Sequence, residues 1–314
     1  ARRERKISSG YHGFEFDAGP DISLEEDLSR RDLTINAIAE DEDGNLIDPY
    51  GGRDDLNNRV LRHVSEAFRE DPLRVLRIAR FKAKLSQFDF IIADETINLV
   101  QKIVGSGELS SLVPERTWLE TEKVFKADNF NEYFITLINL NAFNQIYPDL
   151  KDLDSEFFSS HLILESAKQD YSPEIRFASI FYSLLKRGEK DIKNRIEAMQ
   201  ENMRFANSYK RLPIMLNNSL ALIEEDTSKF TADHQLRIIE SIDAIRNPEN
   251  LDQISKLIML DHGSDFTQKL AVLQKSLDHA KNIKINNLDE SKLAGNEIAK
   301  HIRELRLKAI ESNQ

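Results

Sequence analysis

Apolar and polar positions change period once along the chain. From Tyr11 to Phe16 aromatic and polar residues alternate, which predicts a strand. Ser23-Leu24-Glu25-Glu26 reads as a capping box opening a helix that runs through Ile38. Turn residues at 41–45 and at Asp48-Pro49-Tyr50-Gly51-Gly52 enclose the apolar pair Leu46-Ile47 and predict a strand pair. From about Leu61 onward strand signals vanish, and the spacing predicts helices over residues 72–85, 93–104, 114–126, 131–140, 173–185, 190–203, 234–246 and 293–310. Pro72 and Pro114 stand where the first turn of a helix tolerates proline. The fold class is α+β: a small mixed segment followed by a helical array. Residues 147–157 and 205–216 are the linker candidates, and there is no repeat of fixed period.

Composition adds exclusions. With 314 residues, 40% hydrophobic and 31% charged, the chain can bury a core and is neither disordered nor collagen-like. No apolar run reaches the roughly 18 residues of a membrane helix, and the basic start, Ala1 to Lys6, leads into no secretory apolar stretch. A cytoplasmic location is expected. The absence of cysteine excludes disulfides, thiol nucleophiles and cysteine-ligated zinc, so any metal must be held by oxygen or histidine. A net charge of −11 argues against a generally basic coat, so a polyanion would need a local patch. Two exist: Arg62, Arg69, Arg74, Arg77, Arg80, Lys82 and Lys84, and near the C-terminus His301, Arg303, Arg306 and Lys308.

Two segments carry the densest chemistry. In Glu70-Asp71-Pro72-Leu73-Arg74, continuing to Lys84, the residues Arg74, Arg77 and Arg80 step by three along a predicted helix. Such a ladder either grips phosphates and bases in bidentate fashion or forms a solvated face paired to acids, with Asp71 as an N-cap. In Ser29-Arg30-Arg31-Asp32-Leu33-Thr34-Ile35-Asn36-Ala37, the residues Arg31, Asp32 and Asn36 present a cation, a carboxylate and an amide close together, as a surface salt-bridge cluster also would.

Arg-Arg-Asp with Asn-Ala, then Asp-Pro-Tyr-Gly-Gly, then Glu-Asp-Pro-Leu-Arg, in this order and within about fifty residues, resemble the class II tRNA nucleotidyltransferases, the CCA-adding enzymes. The resemblance runs almost without gaps over residues 1–126, including Ser9-Gly10-Tyr11, Leu61-Arg62-His63-Val64-Ser65, Pro114-Glu115-Arg116 and Glu120, and recovers near 238–246 and 296–308. It implies a polymerase-beta-like head remnant at 1–61, a nucleotide-recognising neck at 62–126, a degenerate HD-like body at 127–235 and a tRNA-contacting tail at 236–314.

The implied reaction is attack of the tRNA 3′-hydroxyl on the α-phosphate of CTP or ATP with release of pyrophosphate. Mg2+ is the implied cofactor, and tRNA, CTP and ATP are the implied partners. Nucleotide binding falls to Arg31, Asp32, Asp71, Arg74, Arg77 and Arg80, and base selection to Glu70, Asp71 and Arg74. Asp71 would accept from the amine that C and A share, whereas U and G would turn a carbonyl toward it. Asp32 would select the ribose 2′-hydroxyl, and Arg31, Arg77 and Arg80 would hold the phosphates. Gly51-Gly52 reads either as the family's flexible turn or as an ordinary tight one, Glu115-Arg116 and Glu120 as a helix-start brace, and Trp118 as core.

The chain also departs from the family pattern. The paired aspartates that hold the metals lie before its first residue, so the catalytic residues are unknown, Glu4 reads as surface, and the chain alone is expected to be inactive. Arg176-Phe177-Ala178 is followed by Tyr182-Ser183 where metal-binding relatives carry His-Asp, and His161, His234 and His262 show no ligand spacing, so phosphohydrolase activity and a body metal are not expected. The competing readings are a poly(A) polymerase of the same superfamily and a non-catalytic tRNA- or nucleotide-binding protein.

Overall fold

The computed structural model describes residues 3–6, 14–17, 23–225, 230–263, 265–283 and 295–312. The chain divides into two compact units, residues 1–176 with 198–205 and residues 177–197 with 206–314. Among the described residues no helix is long and apolar enough to cross a membrane.

The first unit opens with β1 (Arg3–Lys6) and β2 (Phe14–Asp17), paired antiparallel with Arg3 opposite Asp17. The expected strand is present over its last residues. Ser9-Gly10-Tyr11 and the rest of its start lie outside the described residues, as does the side chain of Glu4. Helix α1 (Leu24–Ser29) begins at the expected capping box, with Ser23 Oγ accepting from Glu26 N–H and Glu26 Oε2 from Ser23 N–H, each at 3.1 Å. It stops at Ser29 instead of continuing to Ile38. Leu33 N–H donates to Asp32 Oδ1 at 2.9 Å and Thr34 N–H to Arg62 O at 2.9 Å, so these donors leave the helical ladder. A short 3₁₀ turn at Thr34–Asn36 follows.

The expected strand pair is β3 (Ala39–Glu40) and β4 (Leu46–Ile47), closed by Asp41, whose carboxylate accepts from the N–H groups of Asp43 and Asn45. Helix α2 (Gly52–Asn57) starts where Asp48 accepts from the N–H groups of Gly52 and Arg53 at 2.7 and 2.9 Å. Strand signals do not end at Leu61. β5 (Val60–Leu61) pairs in parallel with β6 (Ile91–Ile92), a ladder of two residues per strand, too short for alternation to register.

Helix α3 (Arg74–Lys84) begins two residues after Pro72 and buries Val75, Leu76, Ile78, Ala79 and Ala83 on one face, which leaves the arginines on the other. It packs on α5 (Pro114–Val124) and α6 (Asn131–Asn139), with α4 (Asp94–Gly105) between them in sequence. Short helices α7 (Phe143–Ile146), α8 (Ser155–Phe158) and α9 (His161–Lys168) follow. The first linker candidate is therefore no linker, since Leu150 and Phe157 are fully buried. The core is aromatic: Phe134 stacks on Phe158 with centroids 4.6 Å apart, and Trp118, buried as expected, meets Phe205 at 4.8 Å.

The boundary between the units falls within α10 (Pro173–Lys186) and α11 (Ile192–Met203). The second unit continues with α12 (Asn207–Glu224), α13 (Ala232–Ser241), α14 (Glu249–His262), α15 (Asp265–Lys281) and α16 (Gly295–Glu311). The second linker candidate lies in α12, where the internal Pro213 reads in sequence as a break although Leu212 and Leu216 are buried. α13 packs on α12, α15 and α16, and Leu236, Ala280 and Ile310 close that core. It ends at Ser241, short of the expected Arg246, because Asp243 turns to φ +52°. The first two residues of the expected last helix, 293–294, lie outside the described residues.

Candidate functional site

One cavity of about 840 Å³ opens in the first unit, where the turn after α1, the start of α3 and one face of α5 converge. Six cationic side chains line it, Arg30, Arg31, Arg74, Arg77, Arg116 and Lys123, against three carboxylates, Asp32, Asp71 and Glu120. Asn36, Leu73, Phe81 and Leu119 complete the wall. Its size suits a nucleotide-sized ligand, and its excess of guanidinium groups suits a polyanion.

The carboxylates organise the cations. Asp32, 6% exposed, accepts three hydrogen bonds and makes one further ion-pair contact. Leu33 N–H and Asn36 Nδ2 donate to Oδ1 at 2.9 and 3.0 Å, and Arg77 Nε and Nη2 reach Oδ2 at 2.8 and 2.6 Å. Burial works to raise the Asp32 carboxyl, but the charge of Arg77 and the bonds from Asn36, Arg77 and Leu33 outweigh it and hold the group below the ordinary carboxylate range. Glu120 accepts from Arg80 Nε at 2.8 Å and Lys123 Nζ at 2.7 Å, with Arg77 Nη1 at 3.8 Å. Burial opposes its ionisation too, and Lys123 and Arg80 overcome it.

Asp71 is less committed. Its Oδ1 takes the N–H of Leu73 at 3.2 Å and its Oδ2 takes Arg116 Nη2 at 2.8 Å. Beside it, Arg74 donates Nη1 to Ala67 O at 2.8 Å and Nη2 to Arg30 O at 2.6 Å, which pins a guanidinium whose pKa burial lowers. The motif residues behind this wall are structural. Arg62 holds Asp55, which accepts the Thr34 hydroxyl at 2.7 Å, His63 Nδ1 lies 2.7 Å from Thr96 Oγ1, and Ser65 Oγ donates to Ser29 O at 2.7 Å.

Of the residues singled out in the sequence, Arg31, Asp32, Asp71, Arg74 and Arg77 line the cavity. Arg80 and Glu70 stand outside the lining. Arg80 reaches Glu120 and lies over the Phe81 ring at 4.7 Å, and Glu70 faces Arg30 at 3.4 Å. Sequence reasoning missed Arg30, Lys123, Phe81 and Leu119 as lining residues. It read Arg116 and Glu120 only as a brace, whereas both face the cavity and hold its other side chains. The three-residue and four-residue steps from Arg116 to Glu120 to Lys123 on a helix start are the signal that could have found them.

The pocket carboxylates are engaged by arginine, lysine, amide and backbone donors, so they do not fit as ligands of a divalent ion. Among the described residues one grouping brings three candidate ligand atoms within 4.8 Å: Glu224, Asp261 and His262 in the second unit. Sequence spacing could not show that His262 joins two carboxylates, because Glu224 comes from another helix. Lys186 Nζ already stands 2.6 Å from Glu224 and 2.8 Å from Asp261, and Tyr182 donates to Asp261 at 3.3 Å. His234 is buried with Nε2 at 2.8 Å from Leu222 O, and His161 is an exposed first residue of α9.

Two family models match the chain: the poly A polymerase head domain over residues 2–62, and the probable RNA- and SrmB-binding site of polymerase A over residues 89–153. A CCA-adding enzyme of Pseudomonas putida is 36% identical over 314 aligned positions, covering 99% of this chain and 82% of the relative. A multifunctional CCA protein of Acinetobacter baylyi is 34% identical with the same coverage. Among solved structures, the Thermotoga maritima CCA-adding enzyme with bound tRNA superposes at a TM-score of 0.62, with 19% identity over 93% of this chain and 70% of that one. A CCA-adding enzyme with ATP gives a TM-score of 0.64, with 20% identity over 91% and 68%. These structures share the α+β fold, and the sequence identity over nearly the whole length assigns this chain to the CCA-adding enzymes, a family of tRNA nucleotidyltransferases.

Proposed function

We propose that the cavity of the first unit binds CTP and ATP, and that the chain serves the addition of C, C and A to the 3′ end of tRNA. One observation carries this reading: six cationic side chains against three carboxylates, with Asp71 and Arg74 held at the same wall. In the family reaction the tRNA 3′-oxygen bonds to the α-phosphorus, the bond to the β-phosphate bridge breaks, and pyrophosphate leaves with the hydroxyl proton lost to water. Arg77, with Arg31, Arg30 and Lys123 around it, would neutralise the triphosphate, and Arg80 acts behind them through Glu120. Asp71, fixed by Arg116, would accept the exocyclic amine common to C and A, and Arg74 would donate to ring acceptors. Glu70 supports this pair by holding Arg30.

Family membership implies a divalent metal, which we take to be Mg2+. It would supply charge neutralisation at the phosphates, and the described residues do not provide its ligands, so no step is derived through it. The division into head, neck, body and tail at residues 61, 126 and 235 and a cytoplasmic location belong to the same reading, supported by tRNA as the substrate.

Titration with CTP, ATP, UTP and GTP, followed by incubation with tRNA lacking its CCA end, tests it. Binding of CTP and ATP over the other two by tenfold or more, and a product three nucleotides longer, are expected. Equal binding of all four would overturn the base-selection roles, and a long adenylate tail would make the enzyme a poly(A) polymerase.

A further inference from the structure

A second cavity of about 200 Å³ lies in the first unit, between the 3₁₀ turn Glu108–Ser111, the start of α5, the end of α7 and the end of α11. Leu109, Leu112, Pro114, Ile146 and Met203 give it apolar walls, and no charged residue lines it. The nucleotide cavity, at about 840 Å³, is far larger and ringed by guanidinium groups. A phosphate therefore has nothing to bind in the second one. Its volume suits a single ring, since an apolar cavity of about 150 Å³ takes up benzene.

The polar groups in its wall share one property. Ser110 Oγ donates to Gly107 O at 2.7 Å, Thr117 Oγ1 to Val113 O at 3.1 Å, Asn202 Nδ2 to Asp149 Oδ2 at 2.9 Å and Gln145 Nε2 to Val104 O at 3.1 Å. Each has spent a hydrogen on the protein, and each keeps an oxygen that can accept. Gln145 is the extreme case. Because a backbone carbonyl only accepts, Nε2 is the end that faces Val104, and Oε1 is the other atom. Oε1 is buried and has no partner among the described residues. A buried acceptor without a donor is a standing free-energy cost, which a ligand carrying an N–H or O–H into the cavity would relieve. Walls and acceptor together select a neutral ring that bears one hydrogen-bond donor.

Helix α5 separates this cavity from the nucleotide cavity. Pro114 and Thr117 line the small one, whereas Arg116, Leu119, Glu120 and Lys123, on the opposite side of the helix, line the large one. Arg116 Nη2 holds Asp71 Oδ2 at 2.8 Å, so a ligand that steadies the first turn of α5 also steadies the donor that aims Asp71.

We propose that the second cavity is an effector site for a small neutral molecule of one ring and one hydrogen-bond donor, and that α5 couples its occupancy to nucleotide binding. The coupling rests on the reading of the first cavity as a nucleotide site, and the binding does not.

Phenol, which has the ring and the donor, and anisole, which has the ring without the donor, are the probes. Trp118, the single tryptophan of the chain, reports them: it lies on α5 and meets Phe205 at 4.8 Å, just beyond Met203 of the cavity wall. Phenol should change Trp118 emission saturably in the unmodified chain, and anisole should bind about tenfold more weakly, the size of one neutral hydrogen bond. Gln145→Leu should bring the two within about twofold, and Gln145→Met takes its place should the leucine variant not fold. In calorimetry, saturating phenol should tighten ATP binding about fivefold, and ATP should tighten phenol binding by the same factor, as linkage requires.

Absence of a saturable Trp118 response to phenol, equal affinity for phenol and anisole, or an unchanged ratio in the Gln145 variant overturns the site. An ATP affinity that phenol leaves unchanged overturns the coupling. Failure of the unmodified chain to bind ATP at all removes the nucleotide reading instead, and the phenol titration still decides the second cavity.

Discussion

The first unit gathers six cationic side chains around three carboxylates, whereas the second gathers one ammonium, Lys186, between Glu224 and Asp261 with His262 at 3.3 Å from both. Both clusters are rich in charge and sit where three or more helices or turns meet, yet only the first leaves a positive surplus facing a cavity. In the first, each carboxylate serves to aim arginines, so the net field remains positive and available to a polyanion. In the second, the ammonium sits within bonding distance of both acids, and one ammonium against two carboxylates leaves a negative balance that does not suit a polyanion. Number of charged residues therefore does not mark the site. What marks it is the sign left over once the internal pairs are made, together with a cavity to receive a ligand.

The comparison breaks most decisively at Asp32. Asp32→Ala strips Arg77 of its nearest partner, with Glu120 left at 3.8 Å, and leaves the buried Leu33 N–H without its acceptor. We expect a loss of about 3 kcal/mol in urea unfolding, at the lower end for a broken buried pair because Arg77 is partly exposed. A loss under about 1 kcal/mol would show that Asp32 does not organise the cavity. The pH dependence has a fixed sign. The folded-state pKa values of Asp32 and Glu120 are depressed below 3.8 and 4.5, so their stabilisation is present above those unfolded values and disappears as pH falls below them. Asp32→Asn should flatten that acid limb.

Next in size is the glycine pair. A Cβ on Gly52 would lie 2.2 Å from Thr34 O, while one on Gly51 meets nothing but requires φ +69°. Gly52→Ala is expected to cost about 2 kcal/mol through displacement of backbone, and Gly51→Ala about 1 kcal/mol through strain alone. Because Thr34 lies between Asp32 and Asn36, Gly52→Ala should also weaken ATP binding, and Gly51→Ala should not. Equal effects in thermal melts and ATP titration would mean that the turn acts as a free hinge and not as a close contact. Arg74→Lys comes next. One ammonium cannot span Ala67 O and Arg30 O as the guanidinium does, so ATP affinity should fall about tenfold, at a cost of about 1 kcal/mol in stability.

Local features were legible in the sequence. The capping box at Ser23, the apolar face of α3, Pro114 at the start of α5, and the order of the Arg-Arg-Asp and Glu-Asp-x-x-Arg segments each rest on residues a few positions apart. The missed features are long-range. α1 ends early because Thr34 N–H finds Arg62 O, β5 finds β6 thirty residues later, and Arg116 finds Asp71 across 45 positions. No periodicity encodes such pairs. Asn36 was visible as an amide beside a carboxylate, but which of its atoms Asp32 takes is a property of the folded turn.

The smallest expected effect lies in the second unit and sharpens the contrast. Lys186→Met leaves Glu224 and Asp261 facing each other without the ammonium. All three side chains are about a third exposed or less, and solvent screens the repulsion, so the cost should be about 1 kcal/mol. The depressed pKa of Asp261 and the raised pKa of Lys186 make their mutual stabilisation present above 3.8 and below 10.5, so the deficit of Lys186→Met should be level across neutral pH. ATP affinity should be unchanged. A fall in ATP affinity matching that of Arg74→Lys would show that the second cluster is coupled to the nucleotide cavity. Independence of the two effects is what two uncoupled clusters require.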